Sequence, residues 1–199
     1  MKIYDISQEV FGCQVYPGDP MPEKKQLKSM NDGELYNLTS FSMCAHNGTH
    51  VDAPSHFIKD GRTVDELSPE IFAGKACVAE NSGVLSRDDA LEIIKLASEE
   101  DSEAAKRILI KGDVEVSFEA ARVFASSGVL LLGNESQSVG PENAPMAVHI
   151  ELLSAGVALL EGIRLGDVPC GVYLLSAMPL NLSGAEGSPC RAVLIDTVS

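Results

Sequence analysis

From about Lys75 the chain alternates apolar runs with amphipathic segments, a pattern that only a sheet covered by helices accommodates. Lys75 to Glu80 reads as a strand. Ser86, with Asp89 three residues later, resembles a capping box that opens a helix through about Ala97. Arg107 to Lys111 reads as a second strand, Ser117 can cap a helix ending at Gly128, and Val129 to Leu132 is a continuously apolar strand of the buried kind. Pro145, whose fixed φ suits a first helical turn, begins a helix that Gly156 ends, and Val157 to Leu160 leads into Glu161. Gly171 to Leu180 and Arg191 to Thr197 supply two final strands, separated by a Gly- and Ser-rich loop from Ser183 to Ser188. The order predicts an α/β fold.

The first third is written differently. It is rich in Gly, Pro, Asn and Asp, and its extended pieces, Lys2 to Ile6 and Tyr36 to Ala45, are short. With 199 residues, 45% apolar content, no internal repeat and no long polar stretch, residues 1–199 are expected to form one domain around one core. A net charge of -14 repels phosphate backbones and anionic lipid heads, which argues against nucleic acid and membrane as partners. The opening residues place acids before any apolar run, unlike a secretory signal, and no run approaches the length of a bilayer span. Five scattered cysteines, Cys13, Cys44, Cys77, Cys170 and Cys190, contain no Cys-x-x-Cys pair. They read as reduced thiols serving as small core residues in a cytoplasmic protein.

Chemistry concentrates in one segment. Of four histidines, His46, His50 and His56 fall within eleven consecutive residues that also hold Asp52. Gly48 and Pro54 oppose a continuous helix there, and in an extended chain positions 46, 50, 52 and 56 leave from one face. A straight strand would spread them over roughly 33 Å, whereas ligands of one ion converge to within about 2 Å of it. The chain must therefore bend, and Asn47-Gly48-Thr49 and Pro54 supply the means. Imidazoles with carboxylates and no thiolate suit Zn, Mn, Fe, Co or Ni better than Ca or Mg. Cys44 lies nearby, in a strand position that suits packing better than ligation. His149 sits on the helix from Pro145, and Glu161 ends an apolar strand where a buried carboxylate needs a cation or a proton.

The run His46-x-Gly-Thr-His50-x-Asp52-x-Pro-x-His56 resembles the motif of the metal-dependent cyclase family, which includes bacterial kynurenine formamidase (arylformamidase) and isatin hydrolase. Val148-His149 with Gly156 to Glu161, and Gly187-Ser-Pro to Arg191-Ala-Val-Leu-Ile, are similar to its later segments. The resemblance implies a swivelling β/β/α fold, a mixed sheet with flanking helices, and hydrolysis of a small amide such as N-formylkynurenine, or of a cyclic amide or ester, by metal-activated water. It implies one or two divalent ions, zinc or manganese foremost. His46, His50 and Asp52 would hold one ion, Asp52 would reach a second completed by His149 and Glu161, and His56 would act as general acid or base. It also implies a homodimer or higher oligomer acting on a small molecule.

Tyr16, before Pro17-Gly18-Asp19, stands where kynurenine formamidases place a tryptophan, and Glu135 and Gln137 stand where an aspartate and a proline are expected. Phe11, Tyr16, Phe41 and Phe57 are candidate pocket walls, Tyr16 and Phe57 foremost. Two other readings remain open at this point. One is an Fe(II) oxygenase using a His50, Asp52, His149 triad. The other is a noncatalytic metal- or ligand-binding homologue.

Overall fold

In the computed structural model, which describes residues 1–141 and 144–196, the alternation after Lys75 becomes the centre of a nine-stranded mixed sheet. The strands are β1 (Lys2–Asp5), β2 (Glu23–Lys28), β3 (Leu38–Ser42), β4 (His50–Asp52), β5 (Ala73–Glu80), β6 (Gly83–Leu85) and β7 (Arg107–Lys111). They continue as β8 (Val114–Val116), β9 (Leu131–Asn134), β10 (Ala158–Glu161), β11 (Gly171–Ser176), β12 (Gly187–Pro189) and β13 (Val193–Asp196). The helices are α1 (Arg87–Glu100), α2 (Phe118–Ser126) and α3 (Met146–Ser154).

The main sheet runs β1-β13-β11-β5-β7-β9-β10-β4-β12. Its centre, β5-β7-β9-β10, is parallel, and one helix crosses over between each successive pair, as parallel neighbours require. Both flanks are antiparallel. The centre is covered on both faces, so Ile108, Leu109 and Ile110 are all fully buried although they point alternately up and down. On the helix side, Ala90, Ile93 and Ala97 of α1 recur at i, i+3 and i+7 and pack into the core with Phe124 and Leu152. Ile6, Phe72, Leu175 and Leu194 line the opposite face. The capping box at Ser86 is present: its hydroxyl accepts the Asp89 N–H at 3.2 Å, and the Asp89 carboxylate accepts the Ser86 N–H at 2.8 Å.

Several expectations need correction. The strand expected at Val129 to Leu132 starts and ends two residues later, because Val129 and Leu130 serve the turn from α2. The Gly- and Ser-rich loop does not run on to Ser188: Gly187–Pro189 pairs with β4 and forms the sheet's edge. β2, written Glu-Lys-Lys-Gln-Leu-Lys, carries no apolar alternation and went unread, yet it pairs with β3 in a separate hairpin. Cys13 and Cys77 are buried, but Cys170 is exposed and so is no core residue; all five cysteines are free thiols. Thr197, the expected end of the final strand, lies outside the described residues. Among the described residues no helix is long and apolar enough to cross a membrane.

Candidate metal centre

β4 carries the middle of the histidine segment and lies between β10 and β12. Residues two apart on a strand share a face, so His50 and Asp52 point the same way. The register sets Glu161 of β10 directly opposite His50. The bend expected at Asn47-Gly48-Thr49 is present, with Gly48 at φ 66°, and it returns His46 over the strand. After β4, Pro54–His56 forms a 3-10 turn that lifts His56 above His46, where the two rings stack at 4.0 Å. α3 supplies His149 from the helix layer.

Two distant stretches of the sequence, residues 46–56 and 149–161, therefore converge. His46 Nδ1 lies 2.8 Å from Asp52 Oδ1, and His50 Nε2 lies 3.5 Å from the same oxygen and 3.3 Å from Glu161 Oε2. His149 Nε2 lies 3.3 Å from Glu161 Oε1 and 3.7 Å from Asp52 Oδ2. Two groups of potential ligand atoms result, His46/His50/Asp52 and Asp52/His149/Glu161, each with all its atoms within 4.8 Å of one another. They share Asp52. His50, Asp52, His149 and Glu161 are all buried.

Backbone carbonyls aim the imidazoles. His50 Nδ1 donates to the Gly48 carbonyl at 2.9 Å and His149 Nδ1 to the Pro145 carbonyl at 2.9 Å, so both Nε2 atoms turn toward the carboxylates. The Val139 N–H donates to Glu161 Oε1 at 2.6 Å. The bend itself is braced by Gln137, which donates to the Gly48 carbonyl at 3.0 Å and accepts from Gln8 Nε2 at 2.7 Å. The other departure from the family motif, Glu135, ties two loops by accepting the Gly112 and Leu165 N–H groups.

Packing a carboxylate pair against His50 and His149 lowers the proton affinity of the acids and raises that of these two imidazoles. Burial opposes the charge on Asp52, but the His46 hydrogen bond and the His50, His46 and His56 charges outweigh it and hold the carboxyl well below its usual range. Burial and the Asp52 charge would raise Glu161, yet hydrogen bonds from His149 and His50 bring it below its usual value. Burial would discharge His149, but Glu161 and Asp52 push it up to about 9. His50 is raised for the same reasons. Burial dominates at His56 and lowers it.

The donor set fits a divalent cation. Asp52 Oδ2 is buried with no hydrogen-bond partner, and so is His46 Nε2, which lies 3.4 Å from Glu186 Oε1 without hydrogen-bond geometry. A buried unpartnered carboxylate oxygen facing imidazole nitrogens is what a cation would satisfy. Without a cation, the proton on His149, held up to about 9 by Glu161 and Asp52, supplies part of that neutralisation. Loading Zn(II) or Mn(II) is therefore expected to release at least about one proton per chain at pH 7, and affinity to rise with pH up to about 9, where His149 has discharged. Calorimetry in buffers of differing ionisation enthalpy measures this, and pH-independent binding would contradict it.

A cavity of about 460 Å³ opens over the group, and its lining includes Tyr16, Phe57, Gln137, Ser138, Asp19 and Glu186. Phe11 and Phe41 do not reach it: they meet each other edge-on and line a separate groove. Cys44, read as a packing residue, lies beyond β3, half-buried, and lines the cavity. Glu186 escaped the sequence reading because it sits in what looked like a plain Gly/Ser loop. Its neighbour Gly187 is held to glycine by the fold, since a Cβ there would stand 2.6 Å from His46 Cε1 and 2.8 Å from the Val51 carbonyl. Gly187→Ala is accordingly expected to cost about 1–3 kcal/mol through overpacking and to weaken metal binding by displacing His46. Thermal unfolding with and without metal checks both effects.

The Cyclase family model matches residues 4–141. The kynurenine formamidase of Salinibacter ruber is 32% identical, over 98% of this chain and 98% of its own length. That of Erythrobacter litoralis is 30% identical, over 97% and 93%. Among solved structures, a "predicted metal-dependent hydrolase" from Bacillus stearothermophilus superposes with a TM-score of 0.80 at 25% identity, covering 97% of each chain. The oxygenase alternative finds no support among these relatives. With the motif, the mixed sheet and full-length relatives in agreement, the chain belongs to the Cyclase family.

Proposed function

We propose that this chain is a metal-dependent amide hydrolase acting on a small N-formyl aryl amine of the N-formylkynurenine type, or on a cyclic amide or ester. The observation that carries the reading is the buried, shared Asp52, which joins two three-donor groups at the floor of an open cavity. The names of the curated relatives, kynurenine formamidase, support the substrate class. His46, His50 and Asp52 would hold one divalent ion, and Asp52, His149 and Glu161 a second, zinc or manganese foremost. Bound there, such an ion supplies Lewis acidity, lowering the pKa of a coordinated water toward neutrality and stabilising negative charge on the substrate carbonyl oxygen.

The chain's own groups do the rest. His56, half-buried and kept neutral near pH 7 by its burial, takes a proton during attack and returns it to the leaving nitrogen. Stacking on His46 fixes its ring plane at the cavity floor. Tyr16 and Phe57 wall an aryl group and exclude water from one side of the cavity. The Gly48 and Pro145 carbonyls keep His50 and His149 in the tautomer that presents Nε2 inward. We further propose that residues 1–199 work as one domain, in the cytoplasm and as a homo-oligomer; five free thiols support a reducing compartment.

The test pairs metal content per chain, on protein purified without chelator, with anaerobic turnover of N-formylkynurenine and a small panel of lactams and esters. One to two divalent ions with oxygen-independent hydrolysis is the expected result. A single iron with no anaerobic turnover would overturn the hydrolase and revive the His50, Asp52, His149 oxygenase.

A further inference from the structure

Gln137 lines the cavity over the metal centre, yet both of its amide hydrogens are used within the chain. Its Nε2 donates to the Gly48 carbonyl at 3.0 Å and, in a long contact of 3.5 Å, to the His46 carbonyl. Its Oε1 accepts from Gln8 Nε2 at 2.7 Å. A primary amide carries two hydrogens and one oxygen, so the side chain is committed to the fold and not to a ligand in the cavity. The proline expected at this position from the family motif has no side-chain donor or acceptor, so these bonds belong to this chain's own sequence.

Those bonds end on the bend that carries the first donor group. The Gly48 carbonyl receives Gln137 Nε2 and, at 2.9 Å, His50 Nδ1. It therefore passes the position of the Gln137 amide on to the ring that presents Nε2 to Asp52 and Glu161. Gln8 holds Gln137 in turn. Its Nε2 also donates to the Gly162 carbonyl at 2.8 Å, its Oε1 accepts the Gln14 N–H at 2.8 Å, and its own N–H donates to Thr49 Oγ1 at 2.9 Å. The Thr49 hydroxyl closes the circuit by donating to the same Gly162 carbonyl at 2.8 Å. Gly162 sits at the crossing with φ 67°, and a Cβ there would strike Gln137 Oε1 and the Gly48 carbonyl and stand 2.7 Å from Gln8 Nε2. The two amides are packed against the backbone they brace, so a shift of either is transmitted to the bend.

We propose that Gln8 and Gln137 form an amide relay that positions His50 and so sets the affinity of the donor group His46, His50 and Asp52 for its ion. Gln137 is a positioning residue, acting through the Gly48 carbonyl. The proposal rests on the ligand set given above and not on the reaction. Co(II) titration of the metal-free full chain, followed by visible absorption, compares the wild type with Gln137→Met and Gln8→Met, which keep the side-chain length and remove the hydrogen bonds. Gln137→Met is expected to bind the ion about 10- to 100-fold more weakly, with its absorption bands shifted and its circular dichroism at the wild-type value. Gln8→Met should act in the same direction, and the double variant should bind no more weakly than Gln137→Met alone, since one relay is broken only once. In a His149→Ala background, which leaves only the first donor group whole, the loss should persist. Wild-type affinity and bands in Gln137→Met would overturn the proposal. So would losses that add in the double variant, which make the two amides independent supports, or a loss that vanishes without His149, which places the effect on the second group. Turnover plays no part in these outcomes, so failure of the hydrolase reading leaves them interpretable, whereas a wild type that took up no Co(II) would overturn the ligand set and the relay together.

Discussion

Asp52→Asn is expected to strip the centre of metal and abolish turnover together. Asp52 is the one residue common to both donor groups, and it is fully buried. Its carboxylate lies 2.8 Å from His46 Nδ1 and 3.5 Å from His50 Nε2, and its charge raises the proton affinity of His50 and His149. The amide is nearly the same size but carries no charge and offers a single acceptor oxygen. Losing the Lewis acid removes several kcal/mol of transition-state stabilisation, so turnover should fall by about 10³-fold or more, with metal content near zero. Elemental analysis alongside steady-state kinetics reads both. An Asp52→Asn protein that kept its metal and most of its activity would remove Asp52 from the proposed ligand set.

His56→Ala has the opposite signature. His56 stands over the donor groups without belonging to either, its ring 4.0 Å from that of His46 and 6.2 Å from that of His149. Truncation should therefore leave metal content at the wild-type level while kcat falls by about 10²- to 10⁴-fold, the usual contribution of a positioned acid-base group. KM should change little, because His56 acts on the proton in flight more than on the bound ground state. The pH profile adds a second readout. His56 lies below the ordinary histidine value, so kcat/KM in the wild type should fall as pH drops through that range and the base is protonated. That acidic limb should be missing in the alanine variant. Loss of metal on truncation would make His56 a ligand instead.

Much of this was legible in the sequence because its signals are local. The capping box at Ser86, the strand at Arg107 to Lys111 and the helix opened by Pro145 each depend on neighbours within a few residues, and each lies where it was read. The bend at Gly48 followed from the same local grammar. What escaped depends on partners far along the chain. Glu186 gains its place only because Gly187–Pro189 pairs with β4, a partner more than a hundred residues away that the loop's own composition does not reveal. β2 escaped for a different reason: period-2 alternation marks a strand half-buried in its own chain, and this hairpin buries neither face there. Phe11 and Phe41, being aromatic, read as pocket walls, but the fold sends them to another groove. His149 shows the limit from the other side, since its helix was predictable while its meeting with Asp52, nearly a hundred residues away, came only through the resemblance.

The pairing of β4 bears on how the protein acquires its activity. The three-residue strand with His50 and Asp52 is flanked by β10 and β12, both made more than a hundred residues later. Closing loops of that size is entropically costly, and contacts so remote in sequence form late. The segment richest in histidine thus precedes both of its neighbours: it has no edge to pair with until β10, ending at Glu161, is available, and its second edge stays open until Pro189. Until β10 arrives its imidazoles wait unassembled, and the donor groups come together with the β4–β10 pairing, while the sheet's last edge is still open.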